Sequence, residues 1–232
     1  MRLDRFLSHS AGLPRSRAKA LIARQRVRVD GVVVRDPATT VTEGQVIQLD
    51  EQELSWPRPY YVMLHKPTGV VCSTTDPSHT PVHLLIDRPW ASELHAAGRL
   101  DADSTGLVLL TSDGEWSHRI TSPRHHCDKS YLVELARPLD GALVQRFAEG
   151  IVLNDDPTPT LPAQLEILGE NQARVILREG RYHQVRRMFA ACGNHVTALH
   201  RERIGPVTLD ASLAPGGWRE LTAQEVEALR HA

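Results

Sequence analysis

Two prolines separated by a single residue, in the heptapeptide SWPRPYY at residues 55–61, split this 232-residue chain. Proline fixes its own φ and restricts the residue before it, so neither a helix nor a central strand runs through the stretch. Each side must then bury its own core, which makes this the linker between two domains, residues 1–58 and 59–232. Charge differs across it as well. Residues 1–35 hold nine Lys or Arg against two acids, a local excess of +7, although the whole chain has a formal net charge of −1. The remainder is therefore net acidic.

The short side reads as two basic helices and a hairpin. Leu3, Phe6 and Leu7 share one helical face. After Pro14, a second helix carries Ala18, Leu21 and Ile22 as its apolar stripe, with Arg15, Arg17, Lys19 and Arg24 on its flanks. In RVRVDGVVVRD, Val27 and Val29 alternate with arginines such as Arg26 up to Asp30-Gly31, a dipeptide suited to a tight hairpin turn. VIQL follows as a further strand. A surface of this kind neutralises backbone phosphates; a merely solvated basic face is the plainer alternative.

The long side is strand-rich, with candidates YYVML, GVVCS, GLVLLT, SYLVEL, LPAQLEIL, QARVILR and HVTALH. The clearest helix runs from His183 to Cys192, where Val185, Met188, Phe189 and Cys192 stand at i, i+3, i+4 and i+7, and Gly193-Asn194 supplies the stop. Arg186 sits about 100° from the centre of that stripe and Arg187 about 200°, which predicts a half-buried Arg186 and an Arg187 facing solvent. Thr222 to Glu225 has the form of a capping box before a last helix. The fold class is α+β.

Hydrophobic residues make up 41% and charged residues 24%, as in an ordinary globular protein. No apolar run reaches the length of a bilayer span and no signal-peptide core opens the chain, so a cytoplasmic protein without a membrane partner is expected. Cys72, Cys127 and Cys192 are odd in number and widely spaced, which suits reduced thiols. His118, His125, His126 and Cys127 match no zinc spacing; beside Arg119, Arg124 and Lys129 they read as an RNA-facing surface, and no metal is expected.

Residues 98–114 read GRLDADSTGLVLLTSDG. Asp101 falls in the loop leading into an apolar strand, where rigid scaffolds present functional groups, with Arg99 two residues away. An aspartate before a small polar turn also commonly satisfies backbone N–H groups and nothing more. Lys66, in HKPTG, reads as a turn residue.

Residues 1–50, RLDRFLSHSAGLPRSRAKALIARQRVRVDGVVVRD above all, resemble an S4 domain. The resemblance implies binding to structured RNA, with Arg15, Arg17, Lys19, Arg24 and Arg26 as phosphate contacts. GRLDADSTGLVLLTSDG, together with LHKPTGVVCST, CDKSYLVEL and EGRYHQVRRMF, resembles the RsuA family of pseudouridine synthases over essentially the whole chain. That resemblance implies a mixed, largely antiparallel sheet with flanking helices, and no cofactor. It implies Asp101 as the catalytic carboxylate, either a nucleophile or a base at the sugar, and Arg186 as its paired cation. Tyr131 would stack on the uracil and remove the C5 proton, Arg99 would hold the duplex during base flipping, and Lys66 would shape the site and touch substrate. SPRHHC, GNHV and LHRERIG resemble members acting on uridine 516 of 16S rRNA, so the expected partner is that RNA within a small-subunit assembly particle, bound by a monomer. Ser104 and His65 stand where relatives often have Thr and Asn. The alternatives are a large-subunit rRNA target, or a non-catalytic S4-type assembly factor.

Overall fold

The computed structural model describes residues 1–73, 76, 78–122, 125 and 127–232. They form two compact units, Met1–Pro59 and Tyr60–Ala232. In the first, α1 (Leu3–Ser10) and α2 (Arg15–Ala23) precede β1 (Val27–Val29), β2 (Val32–Val33), β3 (Ile47–Leu49) and β4 (Gln52–Leu54), paired antiparallel in the order β2-β1-β3-β4. Leu3, Phe6, Leu7, Ala18, Ile22, Val27 and Ile47 are fully buried together. Asp30 (φ 50°) and Gly31 (φ 80°) turn β1 into β2. A type I′ hairpin turn needs positive φ at both positions, which is the reason for Asp-Gly there.

In the second unit β5 (Tyr61–Lys66) is followed by a small parallel pair, β6 (Val70–Val71) and β7 (Thr80–Pro81), then by β8 (His95–Ala96) and β9 (Thr105–Thr111). Next come α3 (Gly114–Thr121), β10 (Lys129–Leu135), α4 (Ala142–Glu149), β11 (Gln164–Ile167) and β12 (Gln172–Leu177). The chain ends with α5 (Gln184–Ala191), β13 (Val196–Ile204), β14 (Val207–Thr208), β15 (Trp218–Glu220) and α6 (Ala223–Arg230). The main sheet has the order β11-β12-β10-β13-β9-β5-β15, with β14 beside β13 and β8 beside β9. β13 and β9 run parallel; the other described pairings in this sheet are antiparallel. This is the mixed, largely antiparallel α+β architecture expected.

Both faces of the central strands are covered. Along β9, Val108 and Leu110 face the same core as Val62 and Leu64, whereas Leu107 and Leu109 join Met63 on the other side. On the first face Val185, Met188 and Phe189 of α5 and Leu143 and Phe147 of α4 close the core; on the second Trp116 and Ile120 of α3 and Leu229 of α6 do so. Each such buried side chain contributes roughly 1.5–3 kcal/mol. The double coverage explains why GLVLLT is a continuous apolar run and not an alternating one.

Two strand readings change. GVVCS forms only the two-residue β6 outside the main sheet, and β13 continues past HVTALH to Ile204. Where β9 and β13 meet, Gly106 (φ +107°) lies opposite Arg201, and a Cβ there would come within 2.3 Å of the Arg201 carbonyl oxygen. Only glycine allows that approach.

Candidate active site

Asp101 lies between β8 and β9, in a loop fixed on both sides by a buried cation. Lys66, at the end of β5, is fully buried and its Nζ donates to the carbonyls of Pro67 (2.9 Å), Ala102 (3.3 Å) and Ser104 (2.7 Å). Burial pushes this ammonium below its ordinary value, against the pull of the Cys72 thiol and the Asp103 and Asp101 carboxylates. Arg201 of β13, 1% exposed, donates to the carbonyls of Leu107 (2.8 Å), Arg99 (3.2 Å) and Gly98 (2.8 Å). A buried charge is tolerated only when its donors are satisfied, and here backbone carbonyls satisfy them. Loop geometry is thus dictated from the core outward.

Lys66 therefore presents no surface to RNA in this structure. Its side chain has no exposed surface, and the expectation of a substrate contact gives way to a scaffold role, forced by the even parity it shares with Val62 and Leu64 on β5.

A cleft forms where this loop meets α5. It is lined by Arg99, Asp101, Tyr131, Glu179, His183 and Arg186, among others. Tyr131 on β10 is 8% exposed, and the Arg201 guanidinium carbon lies 6.0 Å from its ring centroid, within cation–π range. Arg201 thus touches both the Asp101 loop and the Tyr131 ring. Arg99 is exposed, and its guanidinium bonds no described residue.

The pairing of Asp101 differs from expectation. Arg186 Nη2 lies 2.9 Å from Asp103 Oδ2 and Nη1 donates to the Val196 carbonyl (3.0 Å), while Asp101 Oδ1 lies 3.2 Å from His183 Nε2. Arg186 leaves α5 toward the C-terminal end of the loop, so the outer carboxylate, two residues on, meets it first. Its Nε is buried with no partner among the described residues. Arg187 is also corrected: its side chain is only 22% exposed, folded back onto Asp155 and the Tyr182 carbonyl.

His183 caps the start of α5 in the left-handed region (φ 47°, ψ 34°). The segment before it is tied down: Arg181 donates to Asp156, Glu179 and the carbonyls of Thr158 and Pro159. Glu179 in turn accepts from Leu161 N and Gln184 Nε2, so this second carboxylate of the cleft is occupied structurally.

In the first unit Arg15 pairs with Asp4 (3.3 Å) and Arg26 with Asp50, whereas Arg17, Lys19 and Arg24 are exposed with no described partner. His126 and Arg124 lie outside the described residues. Among the described residues no three His, Cys, Asp or Glu side chains converge in a metal-binding group, and no helix is long and apolar enough to cross a membrane.

His183, Asp103 and Arg201 are the residues that sequence reasoning passed over. Arg201 had a signal: it shares strand parity with the inward-facing Leu199, so an arginine was due to enter the core once β13 was taken beyond His200.

The RNA pseudouridylate synthase family pattern matches residues 60–191, and the S4 domain pattern matches residues 1–47. The chain is 51% identical to the ribosomal small subunit pseudouridine synthase A of Yersinia pestis, over 99% of its own length and 98% of that protein's. The protein of the same name from Escherichia coli strain K12 is also 51% identical, over 99% and 100%. Among solved structures, a pseudouridylate synthase crystal structure is similar with a TM-score of 0.72 and 47% identity, covering 99% of each chain.

Proposed function

The chain belongs to the RNA pseudouridylate synthase family, and from that membership we propose that it converts one uridine of small-subunit ribosomal RNA, uridine 516 of 16S rRNA, to pseudouridine. The observation that carries the assignment of the site is the convergence of Asp101, Tyr131 and Arg186, remote in sequence, on one cleft.

The reaction breaks the N1–C1′ bond, turns the uracil and joins C5 to C1′; the C5 proton leaves and N1 regains one, so substrate and product are isomers. No redox partner enters that balance. Asp101, held at a fixed position by the Lys66 and Arg201 clamps, acts on the ribose or the base. Tyr131 stacks on the extruded uracil and takes the C5 proton at the end. A uracil inside a stacked helix is out of reach, so the nucleotide is flipped out, at a cost of a few kcal/mol. Arg99, exposed at the cleft wall, holds the backbone from which it came. The S4 unit adds sequence-independent affinity through Arg17, Lys19 and Arg24.

Carbodiimide primer extension on both rRNAs, from free transcripts and assembly particles, tests the reading. Wild type is expected to mark uridine 516 and Asp101→Asn to bind without marking it. A large-subunit mark would move the target, and binding without any mark would remove the enzymatic assignment.

A further inference from the structure

Tyr182 is 76% exposed, the most exposed large hydrophobic side chain among the described residues. One face of its ring is stacked on His183, with centroids 3.8 Å apart and planes 19° from parallel. The other side of this short array reaches the reaction cleft, because His183 Nε2 lies 3.2 Å from Asp101 Oδ1. An exposed ring with a free face therefore stands one side chain away from the cleft that Tyr131 lines from inside.

Its base is rigid. Arg187 donates to the Tyr182 carbonyl (2.9 Å), Arg181 is held by two carboxylates and two carbonyls, and the Arg181 backbone N–H donates to Gln184 Oε1 (2.8 Å). His183 adopts a left-handed conformation, uncommon for a residue with a Cβ, and this directs its ring between Tyr182 and Asp101. A ring whose backbone is already ordered binds a flat partner with less entropy to lose.

Flipping one nucleotide leaves its neighbour with one face unstacked, and every nucleobase stacks on an aromatic ring irrespective of sequence. We propose that the Tyr182–His183 stack is a second base-binding subsite: the uridine enters the cleft toward Tyr131, and a base next to it in the RNA lies on the free face of Tyr182. The subsite recognises the π-face of a nucleobase and needs no hydrogen bond from the Tyr182 hydroxyl. It rests on the reading of Asp101 as the reaction centre.

Tritium release from RNA carrying [5-³H]uridine, in whichever rRNA the wild type modifies, gives kcat and KM for Tyr182→Ala, Tyr182→Phe and Tyr182→Leu. Tyr182→Ala is expected to raise KM about ten-fold, as for loss of one base–aromatic stack, with kcat falling no more than two-fold. Tyr182→Phe should restore the wild-type KM and Tyr182→Leu should not, since leucine supplies bulk without a π-face. A KM change below three-fold for the alanine variant, a loss confined to kcat, or rescue by leucine equal to that by phenylalanine overturns the subsite. Because the ring is exposed, all three variants should melt with wild type. Asp101→Asn in the same assay separates the two readings: tritium release by that variant refutes the reaction centre, whereas its silence beside an unaffected Tyr182→Ala refutes the subsite alone.

Discussion

The Arg186 guanidinium closes on Asp103, with 2.9 Å between Nη2 and Oδ2, and leaves Asp101 beside His183. The Asp103 side chain is 66% exposed, so the pair contributes only about 0–1 kcal/mol and is easily exchanged for another anion. Arg186 also holds in reserve a buried Nε with no partner among the described residues. Asp103→Asn is therefore expected to keep turnover within a few-fold of wild type, and Arg186→Met to lower kcat by on the order of 10² as a lost cationic donor does. Single-turnover rates at saturating RNA compare the two; equal losses would make Asp103 a required partner.

Lys66 offers a sharper test because its ammonium is buried and serves three carbonyls. Lys66→Met should cost roughly 1–3 kcal/mol in urea titrations, from carbonyls left unsatisfied, and most of the turnover, as the loop carrying Asp101 loosens. The slope of log affinity against log salt should not move. A slope lowered by about one would return Lys66 to the RNA contacts.

At Gly106 the left-handed φ and the 2.3 Å approach to the Arg201 carbonyl act together. Gly106→Ala is expected to destabilise the second unit by about 3 kcal/mol or more, combining backbone strain with overpacking. Gly98→Ala should be milder, since the nearest atom to its Cβ is a guanidinium nitrogen at 3.8 Å. Thermal melts that rank the two variants the other way would contradict the close contact of β9 with β13.

Among the five basic side chains of the first unit expected to meet phosphate, Arg15 and Arg26 are paired and Arg17, Lys19 and Arg24 have no described partner. Arg17→Gln, Lys19→Gln and Arg24→Gln should each lower the salt slope of RNA binding by about one. Arg15→Gln and Arg26→Gln should lower it less, because their guanidinia already sit on Asp4 and Asp50. Filter binding over a salt series distinguishes this pattern from an even contribution by all five.

Asp4 links this unit to pH. Hydrogen bonds from Arg2 and then Arg15 outweigh the cost of its burial and hold its carboxyl at about 2, below the ordinary 3.8. Its folded value is lowered, so the stability it contributes is present above the ordinary carboxylate value and is lost as pH falls from about 4 through about 2. Carboxyl ¹³C NMR should place the Asp4 midpoint near 2, and urea titrations of Asp4→Asn should show a shallower loss of stability over that range. A midpoint at the ordinary value would mean that the Arg2 and Arg15 contacts do not persist in solution.

Periodicity by itself determined the local elements: the Leu3/Phe6/Leu7 face, the Asp30-Gly31 turn, the Val185/Met188/Phe189 stripe and the Thr222–Glu225 capping box all stand as read. These depend on neighbours a few residues apart, and a linear chain displays such neighbours. The motifs likewise marked Asp101, Tyr131 and Arg186 as one set. Only the tertiary structure decided which polar groups meet: His183 with Asp101, Arg186 with Asp103, Arg201 with the loop carbonyls and the Tyr131 ring. Partner choice there turns on strand parity, on the exit direction of a side chain from α5 and on separations of a few ångströms between residues about 70 to 100 positions apart, none of which is written in local sequence.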